Sequence, residues 1–429
     1  MKKTLILALL GACNVGFSQT TILHPHFTLQ SKEVTVPRGA EVCPEIHEGL
    51  IAVRYNGSEL VYVNTDGKCV SGPDFSISSL DNQLENDYFS GGAVMVTHRL
   101  KSGDKVLCIL YPDGTYRDLP DYSSVSAFRD GFALAVRGKS FYKNATQVYI
   151  NKEGREVFPL LAGSFDPFHS PRAVSPLCEN RRAFFSGEQK KYGYADEKGN
   201  IVIPPRFEDA LPFSDELAAV QVKTDGTKKW GFIDLNGQMV IQPVYVNAPG
   251  RFSEGHAAVR IGPTFYQYQM TYIDRTGRQV TPLIDWDCNT FHSGYAWVKK
   301  GECGPICVVD SALNEVRNVT GTLMGTAAEG TCPFNLFDAY GHSLAFDFPG
   351  GTQSLNTRGV GSGSLYKPDG TIAVKCVDEM GRPIAINNIT EGGLLLCVVR
   401  FTHESRFNGK ERAVACFINL QGEVVLYFI

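Results

Sequence analysis

The chain has 429 residues, of which 43 % are hydrophobic and 20 % charged, with a formal net charge of −4. That balance lacks the basic excess of a nucleic-acid binder, and the apolar content excludes a globally disordered chain. Past the first 20 residues no apolar run is long enough to span a bilayer as a helix. The 43 glycines and 11 % aromatics instead favour short strands joined by many tight turns.

The chain opens with Lys2 and Lys3 ahead of a short apolar run, Thr4 to Ala12, the pattern of a secretory signal. Residues 1–18 read as a signal peptide cut after Gly16-Phe17-Ser18. The alternative is a lipobox, Leu10-Gly11-Ala12-Cys13, which would remove residues 1–12 and lipidate Cys13. Either route exports the protein to the periplasm, the outer-membrane surface or the medium, with a lipid anchor in the second case. There are 12 cysteines. Cys69, Cys108, Cys376, Cys397 and Cys416 lie in strand-like runs and read as small buried residues. Cys43, Cys178, Cys288, Cys303, Cys307 and Cys332 fall in irregular stretches.

Residues 19–47 form an N-terminal segment, and its run FTLQSKEVTV is a candidate closing strand. Residues 48–316 then repeat one grammar. An apolar strand ending in A-x-V is followed by a variable loop, an aromatic strand, a D-x-x-G turn and a Val/Ile strand, often with Pro. The alternation marks half-buried strands. The turn pairs a side chain that can bond its own backbone with a glycine that accepts positive φ. Turn glycines stand at Gly67, Gly114, Gly154, Gly199, Gly237, Gly277, Gly370 and Gly422, with Asn314 taking the place of one, a period of about 44 residues. A lone hairpin cannot bury its apolar face, so neighbouring units must supply the core. Residues 317–363 form a glycine-rich divergent insertion, and residues 364–429 return to the repeat. The expected fold is all-β, a propeller of eight or nine blades closed by a terminal strand pair. An open, curved β-repeat array is the alternative. Within each unit the A-x-V strand is expected third, and the F-E-D-A stretch after the prolines is expected to add a short fourth.

The units at 190–213 and 228–252 resemble the WG-repeat (KWG-repeat) family. The residues carrying the resemblance are Lys229-Trp230-Gly231-Phe232-Ile233-Asp234, Gly237, Val240-Ile241-Gln242-Pro243 and Tyr245, together with Tyr192, Gly193 and Gly199 one unit earlier and Asp274 and Gly277 one unit later. The resemblance is good over residues 179–300 and looser over most of the remaining chain. It implies an exported or surface-associated bacterial β-repeat protein and brings no catalytic residues with it.

Little in the sequence points to chemistry. Cys303-Gly304-Pro305-Ile306-Cys307 has one residue too many for a redox C-x-x-C motif. His24-Pro25-His26 has no third metal ligand nearby and sits where chain ends are usually loose. Asp285 and Asp287 could pair as glycosidase carboxylates, although a surface turn explains them as well. Trp230 lies in an alternating strand and reads as core. Phe265, Tyr266 and Tyr268, in a loop outside the repeat grammar, and Trp286 are candidates to stack on a sugar or clasp a peptide. The expected function is therefore an envelope binding scaffold for a protein, peptide or glycan, with no catalysis, cofactor or metal. A carbohydrate-active enzyme with carboxylates converging in a propeller centre and a purely structural envelope protein are the alternatives.

Overall fold

The computed structural model describes residues 21–36, 40–72, 74–77, 89–138, 145–165, 171, 174–224, 226–263, 267–283, 286–288, 290–291, 294–300, 306–318, 364–366, 372–384, 386–389, 394–401, 405–410 and 412–429. Cys13, Phe265, Tyr266, Cys303, Cys332, Gly370 and most of the glycine-rich insertion lie outside them. The described residues contain strands and two short 3-10 turns but no α-helix.

The repeat is clearest between residues 209 and 245. The short strand Asp209–Ala210 pairs with Leu217–Thr224, which pairs with Thr227–Asp234, which pairs with Met239–Tyr245, every step antiparallel. The A-x-V strand is thus second in its sheet, not third. The F-E-D-A stretch does add a short strand, but to the following sheet, because its residues bond the next A-x-V strand (Ala210 faces Val220). Leu217, Ala219, Trp230, Phe232, Ile241 and Tyr245 from this sheet pack with Phe252, Ala257 and Val259 of the next unit into one core. That shared core is why a single unit could not stand alone.

Two turn devices recur. At D-x-x-G turns the first side chain accepts two backbone N–H groups. Asp234 Oδ1 takes those of Asn236 and Gln238 at 2.9 and 2.8 Å, and Asp274, Asp196, Asn64 and Asn419 repeat the pattern. The fourth residue has positive φ, +81° at Gly237. In the turn starting at Asp310 that place is held by Leu313 (φ 62°), not by Asn314. Asn314 instead donates its backbone N–H and its amide to Asp310. A turn absent from the sequence reading, Asp378 to Gly381, has the same bonds.

The second device is the two-residue hairpin before five of the A-x-V strands (before Val94–Arg99 it is Gly91-Gly92). Its first residue is an acid in the left-handed region, at Glu48, Asp130, Glu179, Asp215 and Glu254 (φ 51–53°). The carboxylate reaches forward by one repeat. Glu48 accepts the Gly92 N–H, Asp130 that of Leu177, Glu179 that of Glu216 and Asp215 that of Gly255. These four acids therefore tie their own turns to the corresponding turn one unit on, or, for Asp130, to the residue just ahead of it, with charge-assisted bonds.

The chain divides into two compact units, one of residues 34–268 with 273–280, the other of residues 1–33 with 269–272 and 281–429. In the first, a seven-stranded antiparallel sheet runs from Glu41–His47 to Tyr116–Asp118, followed by sheets of five, three and four strands. In the second, the strand His26–Val34 lies beside the last strand, Glu423–Phe428, and so completes the sheet that holds Arg412–Ile418, Leu395–Phe401 and Ile386–Ile389. Phe27 sits 4.3 Å from the Phe401 ring and 4.9 Å from Tyr427, and Tyr427 donates to Glu33 at 2.8 Å. His24 to His26 thus lead into an ordered strand instead of a loose end. This terminal pairing is the strand pair expected from the sequence for the propeller class. Five sheets have four or more strands, fewer than the eight or nine blades anticipated from one blade per turn. Among the described residues the first two hairpin units share the seven-stranded sheet, and three further sheets have only two or three strands.

Cys108, Cys376, Cys397 and Cys416 are buried as expected, whereas Cys69 is exposed beside its turn. Cys288 and Cys307 belong to the strands Trp286–Cys288 and Ile306–Asp310 and not to irregular stretches. The strand at Trp286–Cys288 also replaces the surface turn read at Asp287.

Hydrogen bonds from Asn200 to Asp196, and from Thr276 and the backbone to Asp274, hold both carboxyls below the ordinary value of 3.8. A depressed folded-state pKa means that the stabilisation is complete above the unfolded-state value and is lost as pH falls through the folded one. The variant Asp196→Asn/Asp274→Asn keeps the acceptor oxygen, as Asn64 and Asn419 do naturally, but cannot titrate. Its midpoint of thermal unfolding is expected to fall less than that of the parent between pH 5 and pH 2, a comparison that circular dichroism makes directly. Equal decline would show that these turns do not contribute to acid sensitivity.

Candidate functional site

The residues singled out as the repeat signature are structural. Trp230 is only 5 % exposed. Gly231 is explained by its neighbour strand. Between Trp230 and Phe232 the ladder advances two residues while the partner strand advances from Tyr245 to Ile241. Pro243 offers no N–H for the ladder, and the resulting bulge leans over Gly231. A Cβ there would stand 2.5 Å from the Ile241 carbonyl oxygen and 2.9 Å from Pro243 N. Gly193 repeats this against Ile203 O and Pro205 N, at 2.6 and 2.8 Å. One unit later Thr271 takes the glycine place. There the returning segment makes only an isolated bridge, Ile273 with Gln279, and the Thr271 hydroxyl donates to the Thr281 carbonyl at 2.9 Å.

Of the binding candidates, Tyr268 is half-buried, with the Arg260 guanidinium 4.6 Å from its ring centroid. The backbone around it presses on Gly262, where a Cβ would lie 2.7 Å from the Tyr268 Cα. Trp286 begins a strand whose partner is Tyr295–Lys300. Tyr268 and Trp286 belong to different compact units.

A constellation the sequence reading missed lies in the seven-stranded sheet. His98, Cys108 and Asp118 come from the three adjacent strands Val94–Arg99, Lys105–Leu110 and Tyr116–Asp118, and the register sets Cys108 opposite both Val96 and Asp118. Their donor atoms all lie within 4.8 Å of one another. His98 Nδ1 is 2.9 Å from Asp118 Oδ1, and because a carboxylate only accepts, the ring nitrogen carries the proton. The His98 side chain is 12 % exposed and that of Asp118 34 %, while Cys108 is fully buried. Burial and the adjacent Asp118 push the Cys108 thiol up. The rings of Tyr116 and Phe75, 4.5 and 5.3 Å from the imidazole, limit its rotation. The signal available in the sequence was an even spacing of ten residues, which three hairpin-linked strands bring side by side.

The sheets, their turns and the terminal strand pair define an all-β repeat protein of the propeller class. Residues 192–223, 230–262 and 270–302 match the family model for the WG containing repeat. Those three tandem segments carry the WG containing repeat. No curated protein matches it. Among solved structures it is similar to Hsv2 of Kluyvelomyces marxianus, at 10 % identity over 76 % of this chain and 95 % of that one, with a TM-score of 0.31. It is also similar to prolyl oligopeptidase B of Galerina marginata, at 11 % identity over 65 % of this chain and 51 % of that one (TM-score 0.31). TolB of Acinetobacter baumannii is similar at 12 % identity over 56 % and 61 % (TM-score 0.24).

Proposed function

We propose that the protein is an exported envelope scaffold that binds a protein, peptide or glycan and performs no catalysis of its own. The observation that carries this reading is the division of labour within the repeats. The signature aromatics, glycines and acids are engaged inside the scaffold, while one apolar position three residues after the turn glycine recurs exposed in three successive repeats. That position is held by Val202, Val240 and Val280, each about 40 % exposed. An exposed valine alone means little, but the same exposed valine in each repeat makes a regular apolar feature of the kind partners use. The loop carrying Tyr268 adds an aromatic ring beside a fixed cation. The charged, then apolar, opening residues support export, and Cys13 supports the lipid-anchored form.

The test immobilises residues 19–429 and exposes them to envelope extract of the source cell, with protein and glycan fractions analysed separately. A saturable partner whose capture falls severalfold with Tyr268→Ala or with serine at the three valines is the expected result. A well-folded sample that retains nothing saturable, yet turns over a glycan substrate, would replace the scaffold reading with the carbohydrate-active one.

A further inference from the structure

We propose that His98, Cys108 and Asp118 form a binding site for a divalent transition-metal ion of the zinc class, with one coordination position left open. The argument begins with the repeat. Aligned on the turn that closes each hairpin, His98 occupies the place of Val222, Cys108 that of Gly231 and Asp118 that of Ile241, the turn positions Tyr111 and Asp234 corresponding. Three positions that are apolar in the best-formed repeat are thus changed together, in one unit, to an imidazole, a thiol and a carboxylate.

Each of the three changes works against simple packing. A fully buried thiol adds little beyond what a small apolar residue would. A carboxylate directed onto the same spot carries a desolvation cost. A cation reverses both effects, because it deprotonates the thiol and neutralises the carboxylate. The donor set matches a borderline-soft ion that takes sulfur, nitrogen and oxygen together, as zinc does at about 2.0–2.3 Å. The present spread, within 4.8 Å, needs only small side-chain rotations to close on such an ion. Phe75 and Tyr116 hold the imidazole in place, and the partial exposure of Asp118 supplies the entry path. On binding, the Cys108 proton leaves to solvent, the His98 proton moves by exchange with solvent to the ring nitrogen that does not ligate the ion, and the three protein ligands leave a fourth tetrahedral position for water or a partner's donor atom.

The experiment uses the mature chain, residues 19–429, fully reduced and freed of metal, titrated with Co²⁺ and then Zn²⁺. The expected result is a thiolate-to-cobalt charge-transfer band that saturates at one equivalent and is displaced by Zn²⁺. The band is expected to vanish in Cys108→Ser, and affinity to fall at least tenfold in His98→Asn and Asp118→Asn. His98→Asn leaves the buried thiol untouched, so it decides the matter even if the serine variant unfolds. A folded parent without the band, or a band that persists unchanged in His98→Asn, would overturn the proposal.

Discussion

A chain lacking residues 1–33 is expected to lose the ordered state of the sheet that ends in Glu423–Phe428. The strand His26–Val34 completes that sheet from its outer side. Its Phe27 ring contacts Phe401, Phe407 and Tyr427, and Arg406 lies 5.0 Å over the same ring. The turn at Gly422 is fitted to this strand as well, since the Gly422 carbonyl accepts the His26 N–H at 2.9 Å. Truncating Phe27 alone removes one aromatic from this cluster. Phe27→Ala is expected to cost about 2–3 kcal/mol, toward the low end for an aromatic because the ring is only partly buried. Deleting the strand is expected to cost more, since an edge left open exposes both apolar surface and unpaired ladder groups. Hydrogen exchange of residues 412–428 reads this directly. Faster exchange there in the truncated chain is the predicted outcome, and unchanged protection would mean that the terminal strand does not close the sheet.

The second large effect is at Gly231. Gly231→Ala places a methyl group against backbone atoms at 2.5 to 3.0 Å, none of which belongs to a flexible side chain. The bulge at Pro243 must shift, and the expected loss is roughly 3 kcal/mol by the usual cost of overpacking. Gly255→Ala is the control. It has positive φ (79°) but nothing within 4 Å of the new Cβ, so only the backbone penalty of about 1 kcal/mol applies. Denaturant unfolding of both variants separates steric contact from backbone strain. If Gly231→Ala were as mild as the control, the bulge would not be the reason for the signature glycine.

These two results depend on features of unequal legibility. The hairpin turns could be read from sequence because their chemistry is local. Asp234 and Gly237 are three residues apart and complete one another. Trp230 was legible as core from strand alternation. The function of Gly231 was not, because the atoms that crowd it come from a bulge on the next strand. The acids Glu48, Asp130, Glu179 and Asp215 were visible as part of the grammar, but their partners lie one repeat away and only the stacking of turns reveals them. Leu313 was hidden because positive φ carries no side-chain signature outside glycine and asparagine. The His98, Cys108 and Asp118 set was missed for the same reason as the bulge. Ligands on neighbouring strands form no local motif, and each residue alone has an ordinary reading. Asp378 to Gly381 was passed over because the strand before it ends in Lys375-Cys376-Val377 and lacks the aromatic residue that marks the other units.

The central claim is that the repeat signature builds the scaffold while the surface beside it binds. The most direct test measures, for the partner captured from the envelope, its affinity for two variants alongside their thermal unfolding. One is Trp230→Phe, and the other carries Val202→Ser, Val240→Ser and Val280→Ser together. The account predicts that Trp230→Phe lowers the unfolding midpoint and leaves the affinity of the folded protein unchanged, while the triple serine variant weakens binding at least tenfold with little change in the midpoint. The opposite pattern, binding lost through Trp230 and preserved without the valines, would contradict it.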